Sequence, residues 1–282
     1  MQITGQKPIS VSEDSVNFGK IRMPGLSVII PEVNYEKTLK IWMKELQSGT
    51  KSKLVTDNGE MSIFGAKIKD ISPNPINVYS KLMTLDSMLK LNVAFEVKKD
   101  QYIEKATGEA DLSKAKNYLK EFAKNQYIDL AKDQADAEDK KLSDLQKELS
   151  SLEKDKSSLQ KSIESNNSDI VNEKQVILVQ NNELAAVSAD IVEQNKLISM
   201  EAGPVQKDKS DYIKSLEKRK KKASGSIESS ENKINKANNE IDKANLDISK
   251  NERMQQLASE KIEKQEAVCQ RYVDKLKKIK SY

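Results

Sequence analysis

The chain has 282 residues, enough for one large or two medium domains, yet 33% are charged, 37% hydrophobic and only 5% aromatic, which suits long solvated helices better than one thick core. Net charge is +4, divided as +2 in residues 1–110 and +2 in the remainder, and arginine occurs only at Arg22, Arg219, Arg253 and Arg271; without a basic field or many bidentate donors, nucleic acid is not an expected partner. The absence of histidine removes the commonest general base, the Ser-His-Asp and Cys-His triads and the usual zinc sites.

The N-terminal stretch MQITGQKPISVSED is polar from its third residue. It reads as a mature N-terminus from which a leader has been removed, which points to export to the periplasm; a cytoplasmic location is the alternative. LSVIIPE (26–32) is a short β-rich run closed by Pro31. In VNYEKTLKIWMKELQSG, the residues Tyr35, Leu39, Trp42, Met43 and Leu46 fall on one face of a helix, with Gly49 placed to end it. SKLVTDNGEMSIFGAKIKDI holds two β-prone runs around Asp57-Asn58-Gly59, a strong signal for a hairpin. INVYSKLMTL and MLKLNVAFEV follow, and in the latter Leu89, Leu91, Val93, Phe95 and Val97 alternate with Lys90, Asn92, Ala94 and Glu96. Residues 1–110 are therefore expected to form an α+β head, an antiparallel sheet of about five strands with one helix across one face.

Beyond it the pattern changes. Neither Pro nor Gly occurs between Gly108 and Gly203. The first stretch, with Leu112, Ala115, Leu119, Phe122 and Tyr127, carries enough aromatic surface to pack on the head. Positions 142, 149, 156, 163, 170, 177, 184, 191 and 198 are Leu, Leu, Lys, Ile, Ile, Ile, Leu, Ile and Ile. After Gly203-Pro204 the repeat resumes at 213, 220, 227, 234, 241, 248, 255, 262, 269 and 276, with Leu216, Ala223, Ala237, Ala244, Ala258, Tyr272 and Ile279 three residues on. Two heptad arms around a helix breaker predict an antiparallel coiled-coil hairpin over 111–282 with its turn near 200–208. ESNNSD (164–169) is the weakest helical stretch, but the unbroken seven-residue phase favours a continuous helix. A register that sets Ile198 opposite Ile213 brings Lys156 to Gln255, and Asp190 and Glu193 beside the basic run of the second arm.

That run, SLEKRKKKASGSIE (215–228), raises the question of an acidic ligand. Lys218, Arg219, Lys221 and Lys222 read either as an anionic contact near the tip or as flanking charges that fix the pairing of the arms. Cys269, the single cysteine, reads as a small apolar residue of the seam rather than as a nucleophile. No GxxxxGK[ST] or GxGxxG stretch occurs, DNGE (57–60) lacks the spacing of a calcium loop, and no run approaches the roughly 20 apolar residues of a membrane span. No catalytic residue, cofactor or metal site is predicted. One surface stands out: Val171, Leu178 and Val192 form a second apolar row on the first arm, about a quarter turn from the main one. It reads either as a protein-contact surface, for a partner or a second copy, or as a broader seam within the hairpin.

The stretches GKIRMPGLSVIIPEVNYEKTLKIWMKEL, NGEMSIFGAKIKDISPNPINVYSKL and YIKSLEKRKKK carry a resemblance over nearly the full length. The chain resembles a set of uncharacterised exported envelope proteins of Gram-negative bacteria that combine a leader peptide, a small α+β head and a long coiled-coil tail. The resemblance implies an exported location and carries over no catalytic residues. The expected function is that of a non-enzymatic structural or interaction protein of the cell envelope, with the coiled-coil arm as spacer and contact surface. The alternatives are a periplasmic holdase-type chaperone and an enzyme with its site in the head.

Overall fold

A computed structural model describes residues 9–57, 59–200 and 207–282. Its elements are β1 (Val11–Phe18), β2 (Ile21–Pro31), α1 (Tyr35–Leu46), β3 (Val55–Asp57), β4 (Glu60–Ala66), β5 (Ile76–Leu85), β6 (Met88–Lys98), β7 (Gln101–Tyr102), α2 (Glu109–Met200) and α3 (Lys207–Lys280). The chain divides into two compact units, one running to Leu142 and including Lys264–Tyr282, the other Ser143–Glu263. The first unit thus takes in helical residues from either side of the second.

In the first unit the strands form one antiparallel sheet in the order β1-β2-β6-β5-β4-β3, with β7 beside β6. This is more strand than the expected five. β1 was hidden because VSEDSVNF carries polar residues at most positions and borrows its order from the ladder with β2, Val11 opposite Val28 through Phe18 opposite Ile21. The β3–β4 hairpin forms as expected, with Asp57 paired to Glu60 and Gly59 at a φ of 80°; Asn58 lies outside the described residues.

Alternation along the strands sends Leu26, Val28, Ile30, Val78, Leu82, Leu89, Leu91, Val93 and Phe95 to one buried core. Three helical segments cover that core: α1 and the aromatic start of α2, both expected there, and the end of α3, which was not. Asn34 caps α1 by accepting the Lys37 N–H, and α1 contributes Trp42 and Leu46. The start of α2 contributes Leu119, Phe122 and Tyr127, and the end of α3 contributes Ile279. Trp42 is fully buried, packs edge-on against Phe122 at 4.9 Å and donates its indole N–H to Ser80 Oγ at 3.0 Å.

The other sheet face is partly covered by the chain itself. A side chain on Gly25 would meet Val16 and the Val93 carbonyl at 2.6 Å. Glycine there lets β1 close down, so that β1 also touches β5 and β6. The β1–β2 turn reaches across to β4, where the Gly19 N–H donates to Glu60 Oε2 at 2.9 Å. Val16, Met23 and Ala94 are buried beneath this ribbon, with Phe18, Tyr79 and Tyr102 around them.

The second unit is built from α2 and α3 alone. The helix through ESNNSD is continuous. Ion pairs tie the two helices in opposite order along their lengths: Lys156 to Glu252 at 2.8 Å, Glu173 to Lys233 at 2.7 Å and Glu183 to Arg219 at 2.7 Å. α3 buries one residue in seven, namely Leu216, Ala223, Ser230, Ala237, Ala244, Asn251 and Ala258. Small side chains on that row let the backbones approach closely. The Ile row of α3 and its counterpart on α2 lie half-buried beside it. Gly203-Pro204 and the turn around it lie outside the described residues.

Candidate interaction surfaces

Val171, Leu178 and Val192 share one position of the seven-residue repeat of α2, and Ala185 occupies the fourth place in the row. Ile170, beside Val171, and Val187 are buried against α3. Val171, Leu178 and Val192 are 66%, 54% and 68% exposed, so within this unit they do not broaden the seam. Val176 and Val179 are exposed near them. The charge around them is as unusual as the apolarity. Across residues 175–192 the only charged side chains are Glu183 and Asp190, in a chain that is one-third charged. Glu183 is turned to Arg219 of α3. What remains outward, apart from Asp190, is Val, Leu, Ala, Ser, Asn and Gln.

The basic run lies on α3, exposed at Lys218, Arg219, Lys221 and Lys222. Among the described residues only Arg219 of the four takes a carboxylate, with its Nε donating to Glu183 Oε1 at 2.9 Å. The expected neighbours Asp190 and Glu193 are not its partners, and Lys156 meets Glu252 rather than Gln255. The ion pairs thus set α2 on α3 a few residues from the expected register. Gln255 instead donates to the buried Asn251 at 2.7 Å on its own helix. Glu173 is held below the usual carboxylate range by Lys233 and Ser230.

Two polar constellations in the first unit had no clear signal in the sequence. In one, Lys275 is buried to 6% exposure, lies 5.5 Å from the Tyr127 ring centre, and donates to Glu32 and to Gln134 Oε1 at 3.0 Å. Tyr127 donates its hydroxyl to Glu32 Oε1 at 3.0 Å. Burial first, and the Glu32 charge second, push that phenol up. Glu32 sits at a φ of 62°, a left-handed backbone that costs a non-glycine residue about 1 kcal/mol. The strain turns its carboxylate to serve both partners, fixing the end of β2 to α2 and α3. Lys275 was passed over because it stands one residue from the Leu276 row and reads as an ordinary flanking charge.

The second constellation lies on the sheet face away from the main core. Glu96 accepts from Asn77 at 2.7 Å, from the Asp100 N–H at 2.9 Å and from Tyr79 at 3.2 Å. Burial raises this carboxyl, but the hydrogen bonds outweigh it and hold the group below its ordinary value. Tyr79, desolvated and beside that charge, is pushed up to about 12. Nearby, Lys81 pairs with Glu60 at 3.1 Å and Lys90 with Asp14 at 2.7 Å. Asn92 Oδ1 is buried between these pairs without a protein partner. The head gathers polar residues on this face, Lys81 and Lys90 each paired with one carboxylate.

Cys269 is 7% exposed, and burial pushes its thiol up, with Asp139 adding to the effect. Gln265 donates to its sulfur at 3.8 Å. Among the described residues no three His, Cys, Asp or Glu side chains converge closely enough to hold a metal ion. No described helix is long and apolar enough to cross a membrane. Comparison with protein-family models and with curated proteins gave no significant match.

Proposed function

We propose that the protein is a non-enzymatic interaction protein. Its sheet unit acts as the anchoring or recognition module, and α2 and α3 form an antiparallel coiled-coil hairpin that works as spacer and contact arm. The single observation that carries this reading is the outward row of Val171, Leu178 and Val192 on a stretch of little outward charge. A fully buried Val or Leu side chain is worth about 1.5–3 kcal/mol, so keeping several wet on a solvated helix is a cost that contact with another protein would recover. The cell envelope is the compartment that fits, on the resemblance of head and tail, and fractionation of native cells tests it.

The contact reading is tested by placing a photo-crosslinking side chain at Leu178 and, separately, at Leu246, which is equally apolar and exposed on α3. Discrete adducts from Leu178 and none from Leu246 support it. Equal labelling from both positions would refute it. A ladder of unrelated unfolded clients at Leu178, together with suppression of aggregation that Leu178→Gln abolishes, would replace the spacer-arm reading with a holdase.

A further inference from the structure

We infer that the uncharged face of α2 binds the same face of a second copy, antiparallel, about a two-fold axis between Asn181 and Asn182. This rests on the contact reading above and names its partner. The row Val171, Leu178, Ala185, Val192 is self-complementary when turned end for end. Reversal about the point between 181 and 182 sets Val171 against Val192, and Leu178 against Ala185. Leu178 then meets the small Ala185 and Val171 meets Val192, each twice over, as an isologous interface demands. The same reversal brings Asn181 of one copy to Asn182 of the other, two amides that can both donate and accept.

Charge selects the direction. Asp169 and Lys196 flank the stretch at its two ends, and Lys174 and Glu193 lie just inside them. Lys174, three residues from Val171, lies on the side of the row, and in the antiparallel pairing it falls opposite residue 189, one turn from Glu193; Asp169, two residues from Val171, lies round the helix away from the row, and Asp190 falls opposite Glu173, which Lys233 neutralises. Lys174 and Glu193 therefore approach each other at both ends. A parallel pairing would set Lys174 on Lys174, Glu193 on Glu193 and Lys196 on Lys196, and would leave a gap where Ala185 meets Ala185. Like charges brought face to face are a strong bar to the wrong arrangement. The size of the face sets the strength. From Val171 to Val192 it runs about 32 Å, and a strip one helix wide covers a few hundred Å², well under the ~800 Å² per partner of stable dimers. The dimer is reversible and concentration-dependent.

The test uses the full chain with Cys269→Ala, so that each introduced thiol is the only one. Under mild oxidation Asn182→Cys should form a disulfide dimer, since the axis brings position 182 near its own copy. Val171→Cys and Val192→Cys should each fail to dimerise alone, their like positions lying about 32 Å apart, yet cross-link when mixed. Sedimentation from about 1 to 100 µM should show the reversible dimer, and changing Val171, Leu178 and Val192 together to Gln should weaken it at least about tenfold with helicity unchanged. Self-cross-linking of Val171→Cys would overturn the antiparallel arrangement. Equal cross-linking at every position, or a strict monomer throughout, would overturn the dimer. With a strict monomer, selective photo-adducts at Leu178 would show that the contact reading survives with a different partner. If the triple Gln change instead unfolds the helix pair, those side chains belong to its packing, and both readings fall.

Discussion

The two units of this chain reach stability by different routes. The first packs three helical segments on one face of a sheet, and the largest fully buried side chains, Trp42, Tyr127 and Phe95 among them, all lie there. The second has no such core. Its deepest row on α3 is mainly Ala, with Ser230 and Asn251 interposed, so each heptad removes little apolar area from water and stability is spread thinly along two helices. The difference shows why exposed apolar groups carry more meaning in the second unit. A stray Val on a thick domain is ordinary. Three in one row, on a helix pair that has little apolar surface to spare, leave outside what the seam could have used.

The contrast can be tested most severely at Phe95. It is fully buried and packs edge-on against Tyr118 at 6.4 Å. Phe95→Ala should cost about 3–5 kcal/mol, all of it in the first unit. Trp42 is the only tryptophan, so its fluorescence in urea reports that unit, while hydrogen exchange of residues 143–263 reports the other. Equal loss of protection in both would mean that they do not fold as separable units.

Lys275 comes next. Removing one member of a buried pair is costly because the other is left uncompensated. Here Glu32 remains partly exposed and keeps Tyr127, so Lys275→Met should cost only about 2 kcal/mol. It should also lower the hydrogen-exchange protection of residues 264–282 relative to the sheet. A stabilised variant would show that Lys275 is held for a reason other than anchoring α3.

Asn251 sharpens the comparison from the other side. It is buried in the seam with Gln255 as its partner. Buried polar residues at such positions fix register at a cost in stability. Asn251→Leu should therefore raise the stability of the second unit by about 1 kcal/mol while loosening its alignment. Disulfide trapping between Lys156→Cys and Glu252→Cys should become less selective against neighbouring positions. Lower stability in the variant would mean that the asparagine is fitted by shape rather than tolerated for register.

Acid should act on the first unit through Asp14 and Glu96. Hydrogen bonding by Lys90 holds Asp14 low, and three hydrogen bonds hold Glu96 low against its burial. A carboxyl whose folded value is depressed lends stability at pH above its unfolded value, about 4, and loses it as pH falls through the folded value. Urea midpoints read by Trp42 should be flat from neutral pH to about 5 and fall below about 4. The fall should shrink in Glu96→Gln. A midpoint that rises on acidification would reverse the sign and discredit the assignment.

Much of this molecule was legible because its signals are periodic. The seven-residue rows announced two long helices, and the alternation in MLKLNVAFEV announced β6. What escaped was held by neighbours rather than by its own pattern. β1 is polar and exists through its ladder, Gly25 is required by an approach that only the folded ribbon creates, and Lys275 is buried by elements more than 100 residues away. The exact register of α2 on α3 escaped as well, because heptads fix which faces meet but not how far one helix slides along the other. The outward row of Val171, Leu178 and Val192 could be read as surplus from the sequence, and its exposure decides only which way it points.

The smallest expected effect belongs to the basic run. Arg219 is exposed and Glu183 partly so, and pairs near the surface contribute between about 0 and 1 kcal/mol. Arg219→Ala should therefore shift the urea midpoint of the second unit barely beyond error. If the run serves to align the helices, the change should instead appear as salt-sensitive register, with trapping between Glu183→Cys and Arg219→Cys falling off as salt rises and the Debye length shrinks toward about 3 Å. If it serves an acidic ligand, changing Lys218, Lys221 and Lys222 together to Gln should leave stability and register alone and abolish retention on an anionic resin. The field of the chain argues for the first outcome, since its +4 is spread evenly between the two halves and gives no long-range pull toward a polyanion. Tight, salt-resistant retention that depends on those three lysines would overturn that expectation and assign the run to binding.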